Sequence, residues 1–239
     1  MTGMSAEKEI VLKVKKRLLK SKAKKYLLKI ILFGSHAKGE ATKDSDIDLL
    51  VVRKNGKEVE EIINAALYNI LLDTHAPIEV LISTVEEILW PDSYFIYNIL
   101  SYGKEIFSMD KETLKKEALM GLMALSNEYL LSAEDTAGAG HWRLATDAAY
   151  NALELAAKAL LLKKLDDLPG SHGGIVNQFG ELYVKTGEVP YSIGRDLHNA
   201  LLLRNRARYK WETTVSKNEY EEVHSLVKEL TKIAGKLLS

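Results

Sequence analysis

Apolar residues recur along this chain in two rhythms. Up to about residue 108, helical spacing alternates with short apolar runs; beyond it, helical spacing alone remains. In a lysine-rich segment over about 6–24, Ile10, Val14 and Leu18 fall on one side, which predicts an amphipathic helix. Tyr26–Phe33 (YLLKIILF) reads as an apolar strand ending at Gly34, and Asp46–Arg53 (DIDLLVVR) as a second strand closed by an Asn55-Gly56 turn signal. Glu58–Leu72 has helical spacing, with Ile62, Ala66, Asn69 and Ile70 near one stripe. Pro77–Ser83 (PIEVLIS) predicts a third strand, followed by helical material around Asp92–Ser101.

After Ser108-Met109-Asp110 the pattern predicts helices over about 111–133, 141–165, 172–186, 190–208 and 216–238. Stops fall at Ala137-Gly138-Ala139-Gly140, Leu168-Pro169-Gly170, Gly187–Pro190 and Thr213–Ser216, and Asp110 and Ser216 are suited to cap the helices that follow them. An α/β half followed by an all-helical half predicts two domains, over residues 1–108 and 109–239.

Composition narrows this picture only a little. At 239 residues with 46% hydrophobic and 28% charged, the chain is an ordinary globular sequence, which sets aside disordered and collagen-like classes. The absence of cysteine removes disulfides and thiolate zinc sites. No apolar stretch has the length of a bilayer span and the start is too polar for a signal peptide, so no membrane partner and a cytoplasmic location are expected. Basic and acidic residues balance at 33 each, but Lys13 to Lys29 holds nine lysines and arginines and no acid. That segment reads first as a solvated helix face, with attraction of a phosphorylated ligand or RNA as the alternative.

The candidate chemistry lies between the first two strands. Asp46 and Asp48 share a face of their strand because side chains alternate with a period of two. Paired carboxylates repel unless a cation sits between them, and magnesium takes such oxygens together with phosphate and water. Just upstream, the small-residue turn Gly34-Ser35 offers backbone N–H groups and a hydroxyl to a phosphate. These are the parts that phosphoryl or nucleotidyl transfer requires. Either half alone reads equally as a turn and a helix cap; it is their combination that is specific. Glu79, among apolar neighbours in the third strand, is either a third carboxylate at the metals (a ligand, or the base for the attacking hydroxyl) or a solvent-facing edge residue.

The run Gly34-Ser35-x-Ala37-x-Gly39, a short spacer, and Ser45-Asp46-Ile47-Asp48-Leu49 resembles the signature of the DNA polymerase β-like nucleotidyltransferases, and most closely the minimal nucleotidyltransferases. The resemblance covers about residues 26–107. It implies an α+β domain, a small mixed sheet with flanking helices, that uses a nucleoside triphosphate, foremost ATP, and two Mg2+ ions. By that resemblance Gly34, Ser35, Lys38 and Ser45 bind the nucleotide, and Asp46, Asp48 and Glu79 hold the metals and carry catalysis. Many relatives have arginine where this chain has His36 or Lys38; Lys38 retains the reach to a phosphate, whereas His36 is expected merely to be exposed.

From Lys111 onward the chain resembles HEPN domains, through Ala148-Ala149-Tyr150-Asn151-Ala152, Ser171-His172-Gly173-Gly174 and Arg204-Asn205-Arg206-Ala207-Arg208-Tyr209. This implies an up-down bundle of about five helices that pairs with a second copy as a homodimer. In the ribonuclease branch of HEPN domains four to six residues separate the arginine from a histidine; here the places so defined after Arg204 hold Tyr209, Lys210 and Trp211, so RNA cleavage is not expected. Arg204 and Arg208 share a helix face. They either pair with acids such as Asp147, Glu154 or Asp196 or, with Asn205, form a phosphate site. Tyr209 is either a core tyrosine or, as in two-gene relatives, the acceptor of an adenylyl group. His172 is expected as a capping or hydrogen-bonded structural histidine, and Trp90, Tyr94, Phe95 and Tyr97 as aromatics filling the seam between domains, with base stacking as the alternative.

These readings converge on a Mg2+-dependent nucleotidyltransferase passing AMP or another nucleoside monophosphate to a hydroxyl of a small molecule, a protein tyrosine or an RNA end. The alternative is a toxin–antitoxin-type module in which the HEPN half binds or cleaves RNA and the first half restrains it.

Overall fold

The computed structural model describes residues 6–238 except 43, 44, 55, 57, 75, 76 and 92. The expected turn at Asn55 and the helical start at Asp92 therefore fall partly outside the described residues. The chain divides into two compact units, Met1–Glu117 and Ala118–Ser239.

In the first unit, α1 (Ala6–Lys20) leads through a 3-10 turn (Lys22–Tyr26) into β1 (Leu27–Phe33). A five-residue helix α2 (Gly34–Lys38) follows, then β2 (Ile47–Arg53), α3 (Val59–Thr74), β3 (Ile78–Thr84), α4 (Val85–Leu89), α5 (Tyr94–Tyr102) and β4 (Lys104–Ser108). The four strands form one mixed sheet in the order β3-β2-β1-β4, with β1 antiparallel to both neighbours and β2 parallel to β3. Parallel pairing of β2 and β3 needs a crossover, and α3 supplies it. The central strands are buried on both faces, as their near-continuous apolar runs require. Val11, Val14 and Leu18 of α1 and Ile63 and Ile70 of α3 pack with Ile30, Leu32, Leu49 and Val51 into one apolar cluster.

Three elements go beyond the sequence reading. Gly34-Ser35 is the start of α2 rather than an open turn. Helix α4 is set by a capping box in which Thr84 and Glu87 satisfy each other's backbone N–H groups. Strand β4 closes the sheet at the β1 edge. Tyr94, Phe95 and Tyr97 of α5 are 81%, 56% and 61% exposed on the first unit.

The rest of the chain is helical: α6 (Lys111–Gly138), α7 (Trp142–Lys164), α8 (His172–Phe179), α9 (Tyr191–Tyr209) and α10 (Lys217–Leu238). The predicted helix over 172–186 is instead α8 followed by a π-helical turn, Gly180–Val184. In the second unit α7 is the central element, packed against α8, α9 and α10. Its alanines and leucines, with Tyr150, meet Phe179 and Tyr183, Ile193 and Leu197 of α9, and Val227 and Leu230 of α10. Among the described residues no helix is long and apolar enough to cross a membrane.

Candidate functional site

The first cluster of interest forms where β1 ends and β2 begins. Antiparallel register sets Phe33 opposite Asp48, so the chain turns into α2 directly beside that carboxylate. Gly34 has a left-handed backbone, φ +67°, and a Cβ there would stand 1.8 Å from Asp48 Oδ2. Both facts demand glycine: the backbone because L residues resist it, and the space because the carboxylate fills it.

Parallel register sets Asp48 beside Glu79; β2 begins at Ile47, one residue later than expected, so Asp46 stands just before the strand, close enough for its charge to act on Asp48. The Asp48 carboxyl is pushed above its ordinary 3.8, first by burial and then by the negative charges of Glu79 and Asp46, with His36 partly offsetting them. The structure thus brings the three predicted carboxylates together. It also alters the argument for Glu79: β3 is an edge strand and Glu79 is exposed, so no buried charge needs a partner. Its position beside Asp48 is what ties it to the site.

Lys38 is exposed, with its ammonium 4.7 Å from the centre of the Tyr102 ring. The Tyr102 hydroxyl accepts a hydrogen bond from the Gly34 N–H at 3.3 Å, so this tyrosine braces the turn from α5. His36 is half-buried rather than exposed: its Nε2 is 3.2 Å from the Ser45 carbonyl oxygen, and it lies close enough to Asp48 to influence that carboxyl. The Ser45 hydroxyl is taken up by its own loop, 2.8 Å from the Thr42 N–H and 3.1 Å from the Thr42 hydroxyl. Ser35 is half-buried. Sequence reasoning missed Tyr102 altogether and undervalued His36. Neither carries a local signal, because each is positioned by contacts with distant segments.

Hard oxygen donors gathered around Asp48, set against a glycine backbone with room for nothing else, are chemically suited to a divalent cation. Among the described residues no three His, Asp or Glu side chains already stand closed into a metal-holding group.

The second unit holds a polar cluster between α7 and α9. Arg204 is 3% exposed; its Nε lies 3.5 Å from Asp147 Oδ1, and its guanidinium sits 5.8 Å over Tyr150 and 5.7 Å over Tyr209. Arg208 reaches the same Asp147 oxygen at 3.9 Å, and Asn205 Oδ1 accepts from Arg204 at 3.1 Å. Of the three acids expected as partners, Asp147 alone serves. Glu154 instead accepts from the Tyr150 hydroxyl at 3.0 Å, from Lys158 at 2.8 Å and bonds His172, while Asp196 pairs with Arg195. His172 is thus the hydrogen-bonded structural histidine expected of it. Tyr209 is 67% exposed, which corrects the expectation of a core tyrosine.

With both clusters described, comparison with known proteins places them in families. Residues 12–106 match the family model described as a nucleotidyltransferase domain, and residues 121–237 the one described as a HEPN domain. The chain is 32% identical over 114 residues to "Putative toxin MJ0605" of Methanocaldococcus jannaschii, covering 48% of this chain and 81% of that protein. It is 59% identical over 34 residues to "Putative protein adenylyltransferase MJ0604" of the same organism, covering 14% of this chain and 34% of that protein. Among solved structures, the spectinomycin adenyltransferase AAD(9) from Enterococcus faecialis, crystallised with ATP and spectinomycin, aligns with 95% of this chain and 99% of its own. That alignment has 18% identity and a TM-score of 0.33. The chain belongs to the nucleotidyltransferase-domain and HEPN-domain families, joined in that order in one polypeptide.

Proposed function

We propose that the protein transfers a nucleoside monophosphate, foremost AMP from ATP, to a hydroxyl acceptor and releases pyrophosphate. The observation that carries this reading is Asp48 lying against Gly34 with Asp46 and Glu79 beside it. Asp46, Asp48 and Glu79 would hold two Mg2+ ions, which when bound neutralise phosphate charge and favour the acceptor's ionised form. Gly34, Ser35 and Lys38 orient the triphosphate. Ser45 contributes through the loop it closes, and Glu79, exposed on the edge strand beside Asp48, is also placed to take the acceptor's proton. The domain division is proposed at residues 108/109, with the HEPN domain shaping the acceptor side and pairing two copies of the chain.

The short, strong match to a protein named as a protein adenylyltransferase favours a protein hydroxyl as acceptor over a small molecule or an RNA end. Tyr209, exposed and flanked by Arg204 and Arg208, is then one candidate acceptor on this same chain. A second reading, a toxin–antitoxin-type module, draws on the match to a protein named as a toxin. The two readings join if nucleotide transfer to the HEPN domain regulates it.

Incubation with labelled ATP and Mg2+, with and without cell extract, tests the proposal. Label should move to an acceptor, chelation of the metal should stop it, and peptide mass spectrometry should locate it. Failure of all four nucleoside triphosphates to label anything would end the transferase reading; an unmodified Tyr209 would end only its role as acceptor.

Replacing Gly34 with alanine checks the geometry separately. The left-handed backbone alone should cost about 1–2 kcal/mol. The added methyl must displace Asp48, so label transfer should fall by more than this stability loss explains, to be read against thermal melting. Full activity in Gly34→Ala would show that Asp48 is not needed against the turn.

A further inference from the structure

The first unit carries a second feature that nucleotide transfer does not use. Lys13, Lys16 and Lys20 are spaced i, i+3, i+7 on α1, so they form one stripe about 10 Å long. The 3-10 turn continues it with Lys22, Lys24 and Lys25. All six are exposed, and none makes an ion pair with an acid among the described residues. The other basic residues of the segment are engaged: Lys15 on the Ile106 carbonyl, Arg17 on Asp73, Lys29 on Glu105.

The stripe ends at a recess of about 820 Å³ with no acid among the described residues that line it. Its walls are chiefly apolar, with Leu19, Tyr26, Ile62 and Phe107 among them. Lys54, at its edge, is neutralised by Glu117 at 2.5 Å. The recess lies where β1 begins and β2 ends, since Leu27 pairs with Arg53, whereas Phe33 and Asp48 mark the other end. Six residues of strand put the two ends about 20 Å apart.

We propose that this surface binds single-stranded RNA, with the lysine stripe following the phosphates and an unpaired base seated in the recess. A row of like charges calls for a polyanion rather than a single anionic group. An apolar recess beside it suits a planar base, which stacks on aromatic side chains and is available only in an unpaired strand. A membrane would be met by apolar side chains that protrude, not by a hollow. The site is independent of the carboxylate cluster and of the reaction proposed for it.

Fluorescence anisotropy of a labelled single-stranded RNA of about 12 nucleotides, with the full chain, tests this. With six lysines engaged, the logarithm of affinity should fall against the logarithm of salt with a slope of about −4. The combined variant Lys13→Gln, Lys16→Gln, Lys20→Gln should melt with the wild type, bind at least about tenfold more weakly and show a slope near −2. Asp48→Asn should bind RNA as the wild type does, which separates this inference from the transfer reaction. Inorganic polyphosphate of similar length, which has no base for the recess, should bind roughly tenfold more weakly than the RNA. Unchanged binding in the triple variant would overturn the proposal. Equal binding of polyphosphate, of duplex RNA or of anionic phosphatidylserine vesicles would also overturn it.

Discussion

Asp48→Asn should lower nucleotide transfer by about three orders of magnitude while the first unit stays folded and becomes slightly more stable. The loss follows from the position: Asp48 is the carboxylate between Glu79, Asp46 and the Gly34 turn. A metal at such a site contributes several kcal/mol, and each 1.36 kcal/mol is tenfold in rate. The gain in stability has a separate cause. Burial and two neighbouring negative charges raise the Asp48 carboxyl above 3.8, so its ionised form is disfavoured in the fold. Below 3.8 the group is protonated folded and unfolded alike and carries no penalty; above the raised folded value the penalty is present in full. The variant's advantage should therefore appear at neutral pH in metal-free buffer and vanish in acid below 3.8. Added Mg2+ should stabilise the wild type and not the variant, reversing their order. Melting curves across pH, with and without metal, read all of this. A variant that keeps its transfer activity would refute the role given to Asp48, and one that is destabilised in metal-free buffer would refute the repulsion.

How much of this was legible in the sequence depended on whether local pattern or distant packing decided the outcome. Strands β1 and β2 were plain because LLKIILF and IDLLVVR are buried on both faces, so nothing interrupts the apolar run. Strand β4 escaped notice because Lys104-Glu105-Ile106-Phe107-Ser108 contains two apolar residues and forms a partly exposed edge; its pairing with β1 makes it a strand. Helix α4 is five residues long, too short for a periodicity, yet its Thr84-x-x-Glu87 capping box was there to be read. The helices beyond residue 110 were located well because long amphipathic helices advertise themselves, and the π-helical turn at Gly180–Val184 was not because it leaves that spacing nearly unchanged.

The site divides along the same line. Asp46 and Asp48 were paired by the two-residue period of a strand, although the strand itself begins at Ile47, and Gly34 follows from the tight turn after β1. Glu79 was drawn in by an argument about a buried charge that its edge position removes, although register places it at the site nonetheless. Tyr102 arrives from α5, 68 residues away in sequence, and only the folded chain shows its hydroxyl on the Gly34 N–H.

The largest stability effect is expected in the HEPN domain, at Glu154. This carboxylate is 6% exposed on α7 and is engaged by the Tyr150 hydroxyl, Lys158 and His172. Glu154→Ala leaves a buried hydroxyl without its acceptor and two nitrogens without their anion, and should cost about 3 kcal/mol, lowering the melting temperature by about 10 °C. Burial pushes the Glu154 carboxyl up, but hydrogen bonds from Lys158 and His172 outweigh it and hold the group below its ordinary 4.5. The stability it supplies is thus complete above 4.5 and lost as pH falls through the depressed folded value. Wild type and Glu154→Ala should accordingly differ most at neutral pH and draw together in acid. Glu154→Gln, which keeps the volume and one acceptor oxygen, should fall between them. Burial and the Glu154 charge also raise the Tyr150 hydroxyl far above its ordinary value, so it remains a donor throughout this range. Tyr150 is the ring over which Arg204 lies, and Tyr209 flanks the same guanidinium. Loosening Tyr150 should therefore also disturb Arg204 and the surroundings of Tyr209. If Tyr209 is the acceptor, Glu154→Ala should reduce its labelling at a temperature where the domain remains folded, whereas Glu154→Gln should largely preserve it. Equal melting of Glu154→Ala and wild type at pH 7 would show that the buried carboxylate does not hold this cluster together.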